Sequence, residues 1–295
     1  MRLLPLDYSV RNLGRSPWRL FLAVAGSALV VLLLLVAGGF VRGMNFALGT
    51  SGGANNVVLM GAGSEESIER SEVPAAAAGI VAATVEGIRT NAGVAYVSPE
   101  VQVMLPVRAG AAEKRDSEGA RQVMFRGVTP AAALVHDAVA LTEGRWPRNG
   151  ADEVMAGRTA HTVLGVRSGE LGLGRSIIID GRAWKVVGRF SAPGTVMEAE
   201  VWIPLEDIKT ATKRETISSI VLTLEPYDAG TGEGAEFADI ATFTKMRPDL
   251  ELFAMMERDY YGKLAGFFRP IRIVAWLTAA LIAVGGLFGG LNTLY

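Results

Sequence analysis

The sequence predicts a membrane protein in which two transmembrane α-helices flank an α+β extracytoplasmic domain. Three observations predict it. No charged residue occurs from Leu20 to Val41, and none from Ile273 to Tyr295. A bilayer core of about 30 Å needs roughly 20 apolar residues in a helix, and both runs are long enough. Between them lies a stretch that alternates Val-rich strand patterns with shorter helical ones. The expected organisation is an elbow helix over residues 1–19, a first spanning helix over 20–41, the outer domain over 42–269 and a second spanning helix over 270–295.

The elbow comes first. Leu6, Val10 and Leu13 fall on one helical face, and Arg11 and Arg15 lie four apart on another. That pattern suits a helix lying on a membrane surface, with its arginines meeting lipid phosphates. Ser16 suits a helix cap, and Pro17 suits the first helical position, where its missing N–H costs nothing. Trp18 and Arg19 stand where an interfacial anchor belongs, so Arg11, Arg15, Trp18 and Arg19 are the expected anchoring residues. The apolar run that follows is longer than the 7–15 residues of a signal peptide and offers no clean A-x-A cleavage site, which favours a retained helix.

The central region reads as mixed α+β and is large enough for two subdomains. A first strand is expected over 55–60, entered through a flexible Gly/Ser/Ala stretch. The Ala-rich run 72–90 reads as a helix. Strands follow over 94–97, 101–107 and 122–128. Residues 176–179 and 183–190 are apolar runs separated by Asp180-Gly181, the strongest short-range hairpin signal. Further strands are expected over 200–203, 217–224 and 250–255, with a helix over 237–246. A helical stalk over 256–268 leads into the second span. A domain that leaves and re-enters one side of a membrane needs its two ends close together.

In the second apolar run, Gly285, Gly286, Gly289 and Gly290 form two overlapping G-x-x-x-G pairs. Turns without Cβ atoms let a neighbouring membrane helix approach closely, so these four are the expected packing surface. Arg2, Arg11, Arg15 and Arg19 crowd the N-terminal flank. The excess of positive charge there places the N-terminus in the cytoplasm and the central domain outside.

Composition excludes several chemistries. The chain has no Cys, which removes disulfides, thiolate catalysis and thiolate metal sites. A net charge of −1 gives no footprint for nucleic acid. There is no G-x-x-x-x-G-K-[ST] phosphate loop, and Gly172 and Gly174 read as a turn. His136 and His161 lack any metal-ligand spacing and read as helix-surface residues. Glu143, Asp152 and Glu153 beside Arg145 and Arg148 read as a solvated face. No catalytic, cofactor-binding or metal-binding residue is expected.

The runs DYSVRNLGRSPWRLFL (7–22), FRGVTPAAAL (125–134), LTEGRW (141–146), DEVMAGRTAHTVLGV (152–166), IIIDGRAWKVVGRFSAPG (177–194) and EVWIPL (200–205) share an order and spacing. In this they resemble permeases of MacB/FtsX-type ABC transporters, and the closing apolar run is similar to the family's second membrane helix. The resemblance implies a MacB-like periplasmic core domain held in the inner membrane of the cell. It implies a dimer of permeases, alike or different, and a separate cytoplasmic ABC ATPase as partner, so that this subunit is no enzyme and needs no cofactor. It also implies motion relayed through the helices to export or extract a substrate, with a periplasmic or outer-membrane partner. Two alternatives are an FtsX-like role signalling to a cell-wall hydrolase and a two-span tethered binding or sensor protein. The family continues past the second helix into a cytoplasmic coupling segment, so this sequence is expected to be the N-terminal part of such a permease.

Overall fold

The structure, a computed structural model, describes residues 17–109, 120–228, 230–231, 234–267 and 269–294. The chain divides into two compact units, residues 1–46 with 265–295, and residues 47–264. In the first, helix α1 covers Pro17–Ser51 and helix α8 covers Arg269–Leu294. The Val24–Ser51 part of α1 has a mean hydropathy of 2.6 over its most apolar window and is the one helix among the described residues long and apolar enough to cross a membrane. Large apolar side chains such as Phe21, Leu32, Leu35 and Val36 stand exposed along it. In α8 the described apolar stretch is shorter, Ile273–Gly285. The first helix runs ten residues past Val41, as far as Ser51, with Leu48 and Ser51 buried at its end.

The second unit is built on one ten-stranded sheet. Its strands are β1 (Asn56–Gly61), β4 (Val97–Ala109), β5 (Arg121–Val128), β6 (Ala140–Gly144), β7 (Glu153–Gly157), β8 (Ser176–Ile179), β9 (Arg182–Ser191), β10 (Val201–Pro204), β11 (Ser219–Thr223) and β12 (Leu252–Met256). The short β2 and β3, Thr90–Asn91 and Val94–Ala95, pair only with each other. The order along the sheet is β12-β1-β11-β4-β5-β10-β7-β9-β6, with β8 joining β4 to β9. Strands β4, β5, β10, β7, β9 and β8 therefore form a closed hydrogen-bonded ring, which leaves that part of the sheet no open edge. Strand β4 links the two halves. Residues Val97 to Glu100 pair with β11, and Val101 to Val107 pair with β5.

Sequence pattern explains these strands. β7 and β10 are buried on both faces, so they read as continuous apolar runs rather than alternating ones. Val201 and Ile203 face the main core with Val101, Phe125 and Val154. Trp202, pointing the other way, joins a second core with Met155, Phe190 and Met197. Asp180 and Gly181 both take positive φ, 48° and 77°, as a two-residue hairpin turn between β8 and β9 requires.

The Ala-rich run makes a shorter helix than its composition suggests. α2 covers only Ala77–Thr84. Val73 on one side is bridged to Ile217, with Val73 N–H donating to the Ile217 carbonyl at 2.8 Å. On the other side Gly87 has a φ of +75°, and Arg89 N–H donates to Thr223. Pairing with the sheet outweighs the helix propensity of alanine at both ends. Small helices α3 (Ala132–Val135), α4 (Ala160–Leu164) and α5 (Leu205–Thr212) lie between strands. The helix α6 (Phe237–Met246) and the stalk α7 (Glu257–Gly266) fall where the sequence places them.

Candidate functional site

The second unit encloses a chain of polar groups that the apolar sequence around them does not announce. Arg126 sits in β5 opposite Gln102 of β4 and Trp202 of β10. Its guanidinium is 1% exposed and grips two carboxylates. Nε and Nη2 donate to the two oxygens of Glu200 at 2.7 and 2.8 Å, and Nη1 donates to Glu100 at 2.6 Å. The planar fork matches Glu200 in a two-point pair, and the Trp202 Nε1–H donates to the same carboxylate at 2.8 Å. Arg126 also lies over the Trp202 ring, 5.9 Å from its centroid.

From Glu100 the chain continues to His136, whose Nε2 is 2.6 Å from Glu100 Oε1. Ser98 donates to the same oxygen at 3.0 Å. On its other side His136 Nδ1 lies 3.8 Å from Glu257, the first residue of α7. Glu257 Oε2 accepts from Gly53 N–H and from Asn56 Nδ2, both at 2.8 Å. Asn56 is fixed in turn by donating to the Val135 carbonyl and accepting from Thr223 Oγ1 at 2.7 Å. The four charged residues beside Arg126, namely Glu100, Glu200, His136 and Glu257, are all buried.

Such burial is tolerable only because every charge meets an opposite charge or several donors. Burial opposes the charge on Glu100, but His136 and Arg126 outweigh it and bring its pKa down to about 2. Burial also opposes the charge on His136, and the ion pair and hydrogen bond with Glu100 raise its pKa above the ordinary value. Burial pushes Glu257 up. Burial likewise pushes the Tyr261 phenol up, which keeps it a neutral neighbour of Arg126.

The network lies where the chain enters and leaves the domain. Gly53 lies two residues past the end of α1, and Glu257 opens the stalk. Beside them Gly52 packs so tightly on the stalk that a Cβ there would stand 2.6 Å from Arg258 Cα and N. A third tie joins Ser51, whose hydroxyl accepts from Val196 N–H at 2.9 Å. The requirement that both domain ends lie close together is met by hydrogen bonds and direct backbone packing. Gly52→Val should therefore force the entry turn and stalk apart, destabilising the domain by about 1–3 kcal/mol, the usual range for overpacking. A thermal melt of the purified variant checks this; an unchanged midpoint would refute the close packing.

The residues singled out by sequence lie elsewhere. Arg11 and Arg15 fall outside the described residues. Trp18 is exposed in the first turn of α1 with its ring stacked on Phe21 at 5.6 Å, and Arg19 follows it. Gly285 lies in α8 with no neighbour within 4 Å of a would-be Cβ, and Gly286, Gly289 and Gly290 follow in the same helix. None of these belongs to the buried network. His136, expected on a helix surface, is instead buried at the end of α3 because Glu100 and Glu257 face it. His161 in α4 is half-exposed, with Nδ1 2.9 Å from the Arg158 carbonyl. The expected solvated face also contains a fixed pair. Arg145 donates twice to Glu153 at 2.6 Å, and Arg148 N–H adds a third bond at 3.0 Å. Among the described residues no group of three His, Cys, Asp or Glu could hold a metal ion.

Sequence reasoning missed Glu100, Arg126, Glu200 and Glu257. Arg126 carried the one available signal, an arginine between Phe125 and Gly127 in the apolar part of a strand.

Residues 20–231 match the family model of the MacB-like periplasmic core domain. Among solved structures, the periplasmic region of MacB from Actinobacillus actinomycetemcomitans is similar at 14% identity and a TM-score of 0.52, over 72% of this chain and 94% of that one. The extracellular domain of the noncanonic ABC-type transporter YknZ from Gram-positive bacteria is similar at 15% identity and a TM-score of 0.46, over 68% of this chain and all of that one. No curated protein sequence matches the chain.

Proposed function

Since this chain belongs to the MacB-like periplasmic core domain family, whose model matches more than half of it, we propose that it is the permease subunit, or the N-terminal part of one, of an ABC transporter. In this reading α1 and α8 cross the inner membrane, and residues 47–264 stand on its outer side. A cytoplasmic ATPase supplies the motion, and the helices relay it to the outer domain, which extracts or exports the substrate.

The observation that carries the mechanical part is the junction at Gly53 and Glu257. The chain runs from α1 through Ser51, Gly52 and Gly53 into the domain and returns through Glu257 into α7. Both strands of that junction are tied to each other and, through Asn56, His136, Glu100 and Arg126, to the strands of both halves of the sheet. A displacement of either connection would move the domain as one body, because charged pairs in a close-packed interior resist being drawn apart. Arg11, Arg15, Trp18 and Arg19 would hold the entry helix at the inner leaflet. The face with Gly285, Gly286, Gly289 and Gly290 would pack on a second permease copy or a neighbouring helix.

Co-purification tests the proposal. The tagged chain, carried with the reading frames that adjoin it and extracted in mild detergent, is expected to bring down an ABC ATPase and a second permease chain. Gly289→Leu should weaken recovery of the second chain. Recovery of a cell-wall hydrolase in place of transport partners would favour the signalling role, and recovery of no ATPase would end the permease reading.

A further inference from the structure

The junction contains a histidine, the side chain whose ordinary titration lies nearest neutral pH, and it occupies the link between the stalk and the rest of the domain. His136 caps the end of α3 and is packed by five strands and helices. From β4 it faces Glu100 at 2.6 Å, and from α7 it faces Glu257 at 3.8 Å. From β5 the Arg126 guanidinium acts on it with like charge. From β10 the Trp202 ring meets it edge-on at 5.8 Å between centroids. From β1, Asn56 holds the preceding carbonyl, that of Val135, and the Glu257 carboxylate at once. Glu200 lies one step further off, taken up by Arg126 and Trp202.

We propose that His136 is a proton-operated latch that fastens the first turn of the stalk α7, and with it the entry turn at Gly53, to the body of the domain. As an imidazolium it places a cation between Glu100 and Glu257. Arg126 cannot take over that position, since its three donating nitrogens are already committed to Glu100, Glu200 and the Tyr261 hydroxyl. When His136 loses its proton, Glu257 keeps its bonds to Gly53 and Asn56 but faces the anionic Glu100 with no cation between them. The entry turn and the stalk then remain tied to each other and loosen from the sheet as a pair. This goes beyond the permease reading and does not depend on it, because the groups involved all lie within residues 47–264.

The direction of the pH effect follows. The folded environment raises the His136 pKa, so its stabilisation is complete below the unfolded value of about 6.5 and is lost as pH rises through the folded value. Glu257, also raised, acts in the same direction: its acid form is favoured in the fold, and that contribution fades as pH rises. Glu100 stays ionised down to about pH 2 and adds no change in this range.

Only two histidines occur, so the full chain labelled with [13Cε1]histidine in a detergent micelle gives two imidazole signals, and His161→Gln assigns them. The expected result is a His136 ring that keeps its proton to a higher pH than a free imidazole does. Amide protection at 53–56 and 257–261, corrected for the intrinsic exchange rate, should fall about tenfold per pH unit above pH 6.5 and level off once His136 is neutral. His136→Gln should reduce this dependence to the part that Glu257 contributes, while Glu257→Gln should move the His136 titration to lower pH. A His136 ring neutral at every pH from 5 to 9 would overturn the latch. So would a titrating ring with unchanged protection, and both of these are read on the unmutated protein even if a variant fails to fold.

Discussion

Arg126→Met is expected to cost about 3–5 kcal/mol of domain stability, enough to leave much of the protein unfolded at 37 °C. The cost does not come chiefly from lost attraction. It comes from stranding Glu200, which is 4% exposed and would have no cation to neutralise it, and from leaving the fully buried Glu100 with His136 alone. Met fits the volume and the apolar strand well enough that packing alone predicts little harm. Adding Glu100→Gln and Glu200→Gln to the same chain should therefore recover a substantial part of the loss, since the stranded charges are then gone. Urea denaturation followed by circular dichroism reads both results. A single variant within 1 kcal/mol of the original protein would show that the buried charges are dispensable.

Trp202→Ala should be of similar size, about 3–5 kcal/mol, for a different reason. The indole is fully buried and is the centre of an aromatic group. Phe190 lies 4.9 Å away, His136 5.8 Å and Trp146 6.2 Å between ring centroids. Its removal opens a cavity on the second core and takes one donor from Glu200. Trp202→Phe separates the two effects. It keeps most of the packing and loses the N–H, so about 1–3 kcal/mol should be lost instead. Equal losses in the two variants would mean that the hydrogen bond, and not the cavity, sets the cost. The same substitution also bears on His136, because the Trp202 ring covers one side of the imidazole and helps keep water from it.

Several elements could be read from the chain because a local rule sufficed. The hairpin at Asp180-Gly181 needs only two residues that accept positive φ between apolar runs. The helix Phe237–Met246 follows from periodicity, and the strands β1, β5 and β11 from short apolar runs rich in β-branched residues. Strands β6 and β7 were harder. β6 is an edge strand whose five residues are all exposed, and β7 is buried on both faces, so neither alternates. The run before and after α2 misled for the opposite reason, since alanines favour helix while Val73 and Arg89 find partners on distant strands.

The sequence by itself determined that long uncharged helical runs bracket an α+β domain, and the order of its motifs carried the family. Those properties depend on neighbours along the chain, where hydrophobic content and short spacings are visible. The buried network was decided only by the tertiary structure. Glu100, Arg126, His136, Glu200 and Glu257 are spread over more than half the chain, and any one of them alone would pass for a surface charge. Only the closed ring of strands and the return of the stalk beside the entry turn remove water from them together, and that shared loss of water is what ties their charges to one another.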